Sequence, residues 1–302
     1  MEVAFTEVAS PTSEHLECIK FIDTIGFACG GRMFDKSELI RTLDGGMSWH
    51  KINLPIQGVE NKRLFSLDLL ADGTLQVVGF GGVTYKSNNF ADSISYQQEP
   101  RFAHWTSICF RTPNDAVVCG QGEIEKGFIT SIQRQNNWQY LFSNIEHSFG
   151  MNHIAFPDSL KGYIAGFGAI YKTTDGGATW DFTEAKNDNF TATEWLSSQE
   201  GIAVGWEGSI LKTSNGGTDW KIIRKANNLT QKKIRLKCLA HNSNNELIAA
   251  GENGYILYSN NKGETWKTLD NFTDINFESV AFQNVNTFFV VGEEGRIFKV
   301  QL

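Results

Sequence analysis

Seven short segments end an apolar run in glycine and resume it two or three residues later: Phe27-Ala-Cys-Gly-Gly31, Val77-Val-Gly-Phe-Gly81, Val118-Cys-Gly-Gln-Gly122, Ile164-Ala-Gly-Phe-Gly168, Ala203-Val-Gly-Trp-Glu-Gly208, Ala249-Ala-Gly-Glu-Asn-Gly254 and Val290-Val-Gly-Glu-Glu-Gly295. The residues set between or beside these glycines are the ones with chemical potential. Phe80, Phe167 and Trp206 are aromatic; Glu207, Glu252, Asn253, Glu293 and Glu294 are acidic or polar. A basic stretch from Arg224 to Lys237 contains Lys232, Lys233 and Arg235. Two chemistries suit such a mixture. Aromatic anchors beside charged groups suit a protein or peptide partner. Aromatics also stack on sugar rings, and two acids such as Glu207 and Glu252 would serve as acid and base of a glycoside hydrolase if they stood about 5 Å or roughly 6.5–9.5 Å apart. Single charges at turns are commonplace, so the cluster argues more than any member.

Other chemistry finds little support. The six histidines show no HxH or HExxH spacing, and the five cysteines form no CxxC pair. No nucleophile elbow, phosphate loop or dinucleotide fingerprint is present, so we expect no catalytic residue, no metal and no cofactor. Cys29 and Cys119 precede the glycine of the repeated segment and read as core-strand residues. Cys109 and Cys119 flank one expected hairpin, which leaves a bridge or, preferably, two buried thiols. Lys plus Arg is 27 against 34 Asp plus Glu, a net charge of −7. That balance argues against nucleic acid or anionic lipid as the main partner. There is no run of 18 apolar residues to span a membrane, and the first residues lack a basic and apolar leader.

The elements that would carry these residues follow from a second repeat. Thr42-Leu-Asp-Gly-Gly-Met-Ser-Trp49, Thr173-Thr-Asp-Gly-Gly-Ala-Thr-Trp180, Thr213-Ser-Asn-Gly-Gly-Thr-Asp-Trp220 and Ser259-Asn-Asn-Lys-Gly-Glu-Thr-Trp266 align without gaps. Weaker copies run from Ser87 to Tyr96 and from Thr130 to Trp138. The closing aromatics recur every 40 to 47 residues, which divides 302 residues into very nearly seven units. Each unit reads as four short strands with period-2 alternation and glycine-bounded turns, for example 192–197, 201–205, 209–213 and 220–224. We therefore expect an all-β fold: one seven-bladed β-propeller of four-stranded blades, at about 14–52, 63–97, 103–142, 150–183, 190–224, 234–269 and 274–302. The last unit supplies only three strands. Residues 2–8 are expected to pair with 295–300 as its fourth, hiding both edges and closing the ring.

The aligned segments follow the Asp-box, or BNR, pattern Ser/Thr-x-Asp-x-Gly-x-Thr-Trp. Asp44, Asp175, Asn215 and Asn261 are expected to accept from backbone N–H groups two residues on. Trp49, Trp180, Trp220 and Trp266 are expected to pack between blades. A catalytic or metal-binding aspartate is the tempting alternative. It is disfavoured because this turn joins the third and fourth strands, away from the face that propellers use for binding.

Asp-boxes occur in sialidases, in some glucan hydrolases and in the photosystem II assembly factor family (Ycf48/Hcf136-like). The six-bladed sialidases need an arginine triad, a Tyr nucleophile with its Glu, and an Asp, and the nine arginines here do not assemble that set. Seven units with Gly-x-x-Gly before each Asp-box resemble the Ycf48-like family along the whole chain. The resemblance implies a non-catalytic scaffold, working outside the cytoplasm, that assists assembly of membrane complexes and binds a protein or peptide. A monomer is expected. The rival expectation is a carbohydrate-binding or glycoside-hydrolase-like protein using the aromatic and acidic cluster.

Overall fold

The computed structural model describes residues 3–55, 62–98, 103–122, 127–134, 150–183, 185–186, 188–226, 234–269 and 272–302, and the backbone of 139–147. Seven four-stranded antiparallel sheets follow one another along the chain. Blade 1, for example, is Leu16–Ile22, Ile25–Arg32, Lys36–Thr42 and His50–Lys51; blade 6 is Leu236–His241, Leu247–Gly251, Ile256–Ser259 and Lys267–Thr268. The first strand of each blade is innermost, and each packs on its counterparts in both neighbours, so the sheets close into a ring. The core is correspondingly divided. Each apolar cluster is shared between adjacent blades, as where Phe27 and Leu39 of blade 1 meet Leu67 and Val77 of blade 2. Burial on both faces explains why the second strands (Leu247–Gly251, LIAAG; Gly201–Gly205, GIAVG) are uninterrupted apolar runs.

The repeated glycines have a steric cause. A Cβ on Gly251 would stand 1.8 Å from the carbonyl oxygen of Arg235, where the inner strand begins. Gly254 has φ +67°, and a Cβ there would stand 2.1 Å from the carbonyl of Thr273 in the connection to the next blade. Both approaches require the missing side chain.

The seventh blade consists of Phe277–Asn284, Thr287–Gly292 and Ile297–Gln301, with Ala4–Val8 as its outer strand. The register runs from Ala4 opposite Gln301 to Val8 opposite Ile297. The closure expected for residues 2–8 is therefore present, shifted from 295–300 to 297–301; residue 2 lies outside the described residues. Phe5 stacks on Phe272 at 3.9 Å, and Arg296 holds Glu7 through two hydrogen bonds of 2.8 and 3.1 Å.

The Asp and Asn turns differ from expectation in one detail. Asp44 Oδ1 accepts from the N–H groups of Met47 and Ser48, three and four residues on, each at 3.0 Å. The reason is that Thr42 Oγ1, which donates to Asp44, itself accepts the nearer N–H of Gly46 at 2.9 Å. The same bonds recur at Thr173 and Asp175. Asn215, Asn261 and, in the weak copy, Asn89 accept likewise from the N–H four residues on. Residues 135–138, which end the other weak copy, lie outside the described residues. Trp49 is buried between blades 7 and 1, and Trp180 between blades 3 and 4. Trp220 and Trp266 are half-buried against the blade before their own. All five cysteines are free thiols, with Cys109 half-buried and the other four buried.

Candidate functional site

The inner strands share an irregularity that the sequence does not announce. Near its start each carries a β-bulge, between the residues that face the first glycine and the strand body of its partner. The extra residue is Glu17, Phe65, Thr106, Asn152, Thr191, Lys237 or Glu278 in blades 1 to 7 respectively. A bulge re-aims the side chain it carries. Here all seven line one central cavity of about 630 Å³, forming a ring at its mouth.

Most of this ring is stitched across blade boundaries. Thr106 Oγ1 donates to the Met151 carbonyl at 2.6 Å, and Thr191 Oγ1 to that of Leu236 at 2.8 Å. Asn152 Nδ2 donates to Asn189 Oδ1 and to the Phe190 carbonyl at 2.8 and 2.7 Å. On the other side the links run through carboxylates. Lys237 pairs with Glu278, His15 lies 3.3 Å from Glu278, and Arg63 pairs with Glu17. Burial pushes the Glu17 carboxyl up, against the attraction of Arg63. Glu278 is held below the usual carboxylate range because, against the cost of burial, His15 and Lys237 bond to its charged form. The ligand atoms of His15, Glu17 and Glu278 lie within 4.8 Å of one another. Arg63 and Lys237 already neutralise both carboxylates, however, and would repel a cation placed among them.

Deeper in the cavity, Lys20 faces Asp68 at 4.0 Å, and His241 Nδ1 bonds Glu194 at 2.7 Å. Burial depresses His153 to about 4, and it accepts the Thr193 N–H as a neutral imidazole.

The rim carries the residues singled out from the glycine segments, but regrouped. Trp206 is flanked by two cations. Its ring is covered by Arg235 at 4.7 Å and Lys237 at 5.6 Å, a cation–π clamp. Arg235 in turn pairs with Glu252 at 3.0 Å. Glu293 accepts from Asn276, through its side chain at 2.7 Å and its backbone N–H at 3.0 Å, while Asn276 Oδ1 accepts the Asn253 N–H. Glu207 donates its N–H to Asp188 at 2.8 Å. Asn253 and Glu294 both occupy the left-handed region of their turns (φ 55° and 59°). Phe80 stacks on His104 at 4.0 Å and meets Phe34 edge-on, while Phe167 is 62% exposed on blade 4. Phe80, Phe167 and Trp206 thus stand on blades 2, 4 and 5. Among these acids, Glu252 is committed to Arg235 and Glu293 to Asn276. Lys232 and Lys233 lie outside the described residues.

Sequence reasoning missed His15, Glu17, Asn152, Thr191 and Glu278. For all of these but His15 the signal was a polar residue directly after the first apolar residue of the inner strand, as in Leu16-Glu-Cys-Ile19 and Phe277-Glu-Ser-Val280. Without the bulge, alternation gives no reason to aim that residue at a cavity.

A family model described as photosynthesis system II assembly factor YCF48 matches residues 130–232 and 224–301, more than half of the chain. No curated protein matches the sequence. Among solved structures, "YCF48 bound to D1 peptide" superposes with a TM-score of 0.77 at 18% identity, covering 99% of this chain and 97% of the other. YCF48 from Cyanidioschyzon merolae gives 0.75 at 16% identity, covering 99% of each chain. A catalytically inactive virginiamycin B lyase from Staphylococcus aureus gives 0.78 at 11% identity over 100% of both chains. At these identities the superpositions show a common fold.

Proposed function

The chain belongs to the family of the photosynthesis system II assembly factor YCF48, and from that premise we propose that it is a non-catalytic assembly scaffold whose channel mouth binds a protein or peptide segment. A family member bound to a D1 peptide supports a peptide-sized partner. The observation that carries the reading is the make-up of the mouth. Trp206 is fixed by two cations, Phe167 and Phe34 are exposed on the same rim, and the two cations are themselves paired with Glu252 and Glu278. Rigid aromatic anchors ringed by paired charges are what a macromolecular interface uses, since anchors supply affinity and charges supply register. Lys232 and Lys233 belong to the proposed contact set.

The test is affinity capture from an envelope extract of the source organism, followed by titration of synthetic peptides from the captured protein. The comparison is Trp206→Ala/Glu252→Ala, first shown to be folded by circular dichroism. Loss of an aromatic anchor is expected to weaken binding by at least about 30-fold, the equivalent of a hot-spot residue. Equal binding by both proteins would move the site off the mouth. Failure of both proteins to retain a partner would count against the scaffold.

A further inference from the structure

The scaffold role makes no use of the thiols, and two of them are placed for chemistry with each other. Cys18 and Cys29 are direct partners across the antiparallel pair Leu16–Ile22 and Ile25–Arg32. Directly opposed residues of such a pair share one face of the sheet, with Cα atoms about 4.5–5.5 Å apart. That lies within the roughly 4.4–6.8 Å a disulfide spans. Both side chains sit in the apolar cluster between blades 1 and 2. Cys29 is fully buried, whereas Cys18, 8% exposed, lines the central cavity directly after the rim residue Glu17. No other cysteine has this relation: Cys109 faces Val117, Cys119 faces Ser107 and Cys238 faces Ala250.

We propose that Cys18 and Cys29 form an oxidation site, at which a small disulfide entering the channel converts the pair into a cross-strand disulfide within blade 1. The thiolate of Cys18 attacks one sulfur of the reagent, the reagent's S–S bond breaks, and one thiol leaves. Cys29 then attacks the Cys18 sulfur of the mixed disulfide, its proton passing to the second departing thiol. The protein loses two electrons and two protons, and the reagent becomes two thiols. The order of attack follows from the setting. The neighbouring Cys29 thiol draws the Cys18 thiol down, with Lys20 adding to it, while burial pushes Cys29 well up. The product would covalently fix the bulge that aims Glu17 at the mouth.

The test exposes the folded full-length protein to dipyridyl disulfide, removes the reagent, and alkylates after unfolding. Five thiols before treatment are expected to fall by two, with the mass of two hydrogens lost and one peptide link joining positions 18 and 29. Dithiothreitol should restore all of them. Cys29→Ala is expected to stop at a mixed disulfide on Cys18, which separates access to the channel from closure of the pair. A wild-type protein that keeps all its thiols, retains the mixed disulfide, or links any other cysteines overturns the proposal.

Discussion

At the scale of single residues, the turn aspartates show how much a tempting motif depends on its surroundings. Asp44 accepts from Thr42, Ser48 and two backbone N–H groups, and so saturates its oxygens within its own turn. The Ser48 hydroxyl, then the Ser48 N–H and Thr42, hold its carboxyl well below the usual range. A carboxyl so depressed stabilises the fold above its unfolded pKa of about 4 and loses that contribution as pH falls through the folded value. We predict that Asp44→Ala costs about 1–2 kcal/mol at neutral pH, the scale of losing such bonds. The gap from wild type should close as pH falls below about 4. Urea denaturation at neutral and acid pH measures both. A gap that stays constant with pH would mean that the charge is irrelevant to the turn.

At the scale of elements, the outer strand Ala4–Val8 is the piece that sequence neighbours cannot supply. It covers the edge of Ile297–Gln301, packs Phe5 on Phe272, and places Glu7 against Arg296. Phe5→Ala is expected to lower the unfolding free energy by about 2 kcal/mol, less than for a fully buried ring. Removing residues 1–8 should do more and also bare a strand edge, so self-association by sedimentation should accompany the lower Tm. A truncated protein with unchanged Tm that stays as dispersed as the parent would show that the three remaining strands suffice.

At the scale of the whole molecule, the ring closes through a mouth of two characters. Blades 3 to 6 join by neutral hydrogen bonds from Thr106, Asn152 and Thr191, the boundaries between blades 6 and 7 and between blades 1 and 2 by ion pairs, and that between blades 7 and 1 by His15 against Glu278. Lys237 and Glu278 are largely buried together, at 16% and 14% exposure. Taking one charge from such a pair leaves the other without compensation. Lys237→Met is therefore expected to cost about 3 kcal/mol, and Lys237→Met/Glu278→Leu appreciably less, despite removing more. A double-mutant cycle by urea denaturation decides; additive losses would mean that the pair is not coupled. The same substitution removes one of the two cations over Trp206, so it should also weaken any partner that binds there.

The sequence by itself determined the architecture. Glycines recur wherever one backbone passes too close to another for a side chain, and Asp or Asn with Trp recurs at four of the six turns from a third strand to a fourth, with weaker copies at the other two. Both constraints are local and survive in residue type, the first in all seven units; even the missing outer strand was legible as a deficit of one. What only the tertiary structure decided was the site. The rim residues Glu252 and Trp206 were legible as residues beside glycines and Arg235 as part of a basic stretch, but the stacking of Arg235 on Trp206 was not, because it joins side chains from different blades. The ring of Glu17, Asn152, Lys237 and Glu278 depends on one bulge per inner strand, and a bulge leaves the polar and apolar pattern almost unchanged while turning one side chain from the sheet face into the cavity.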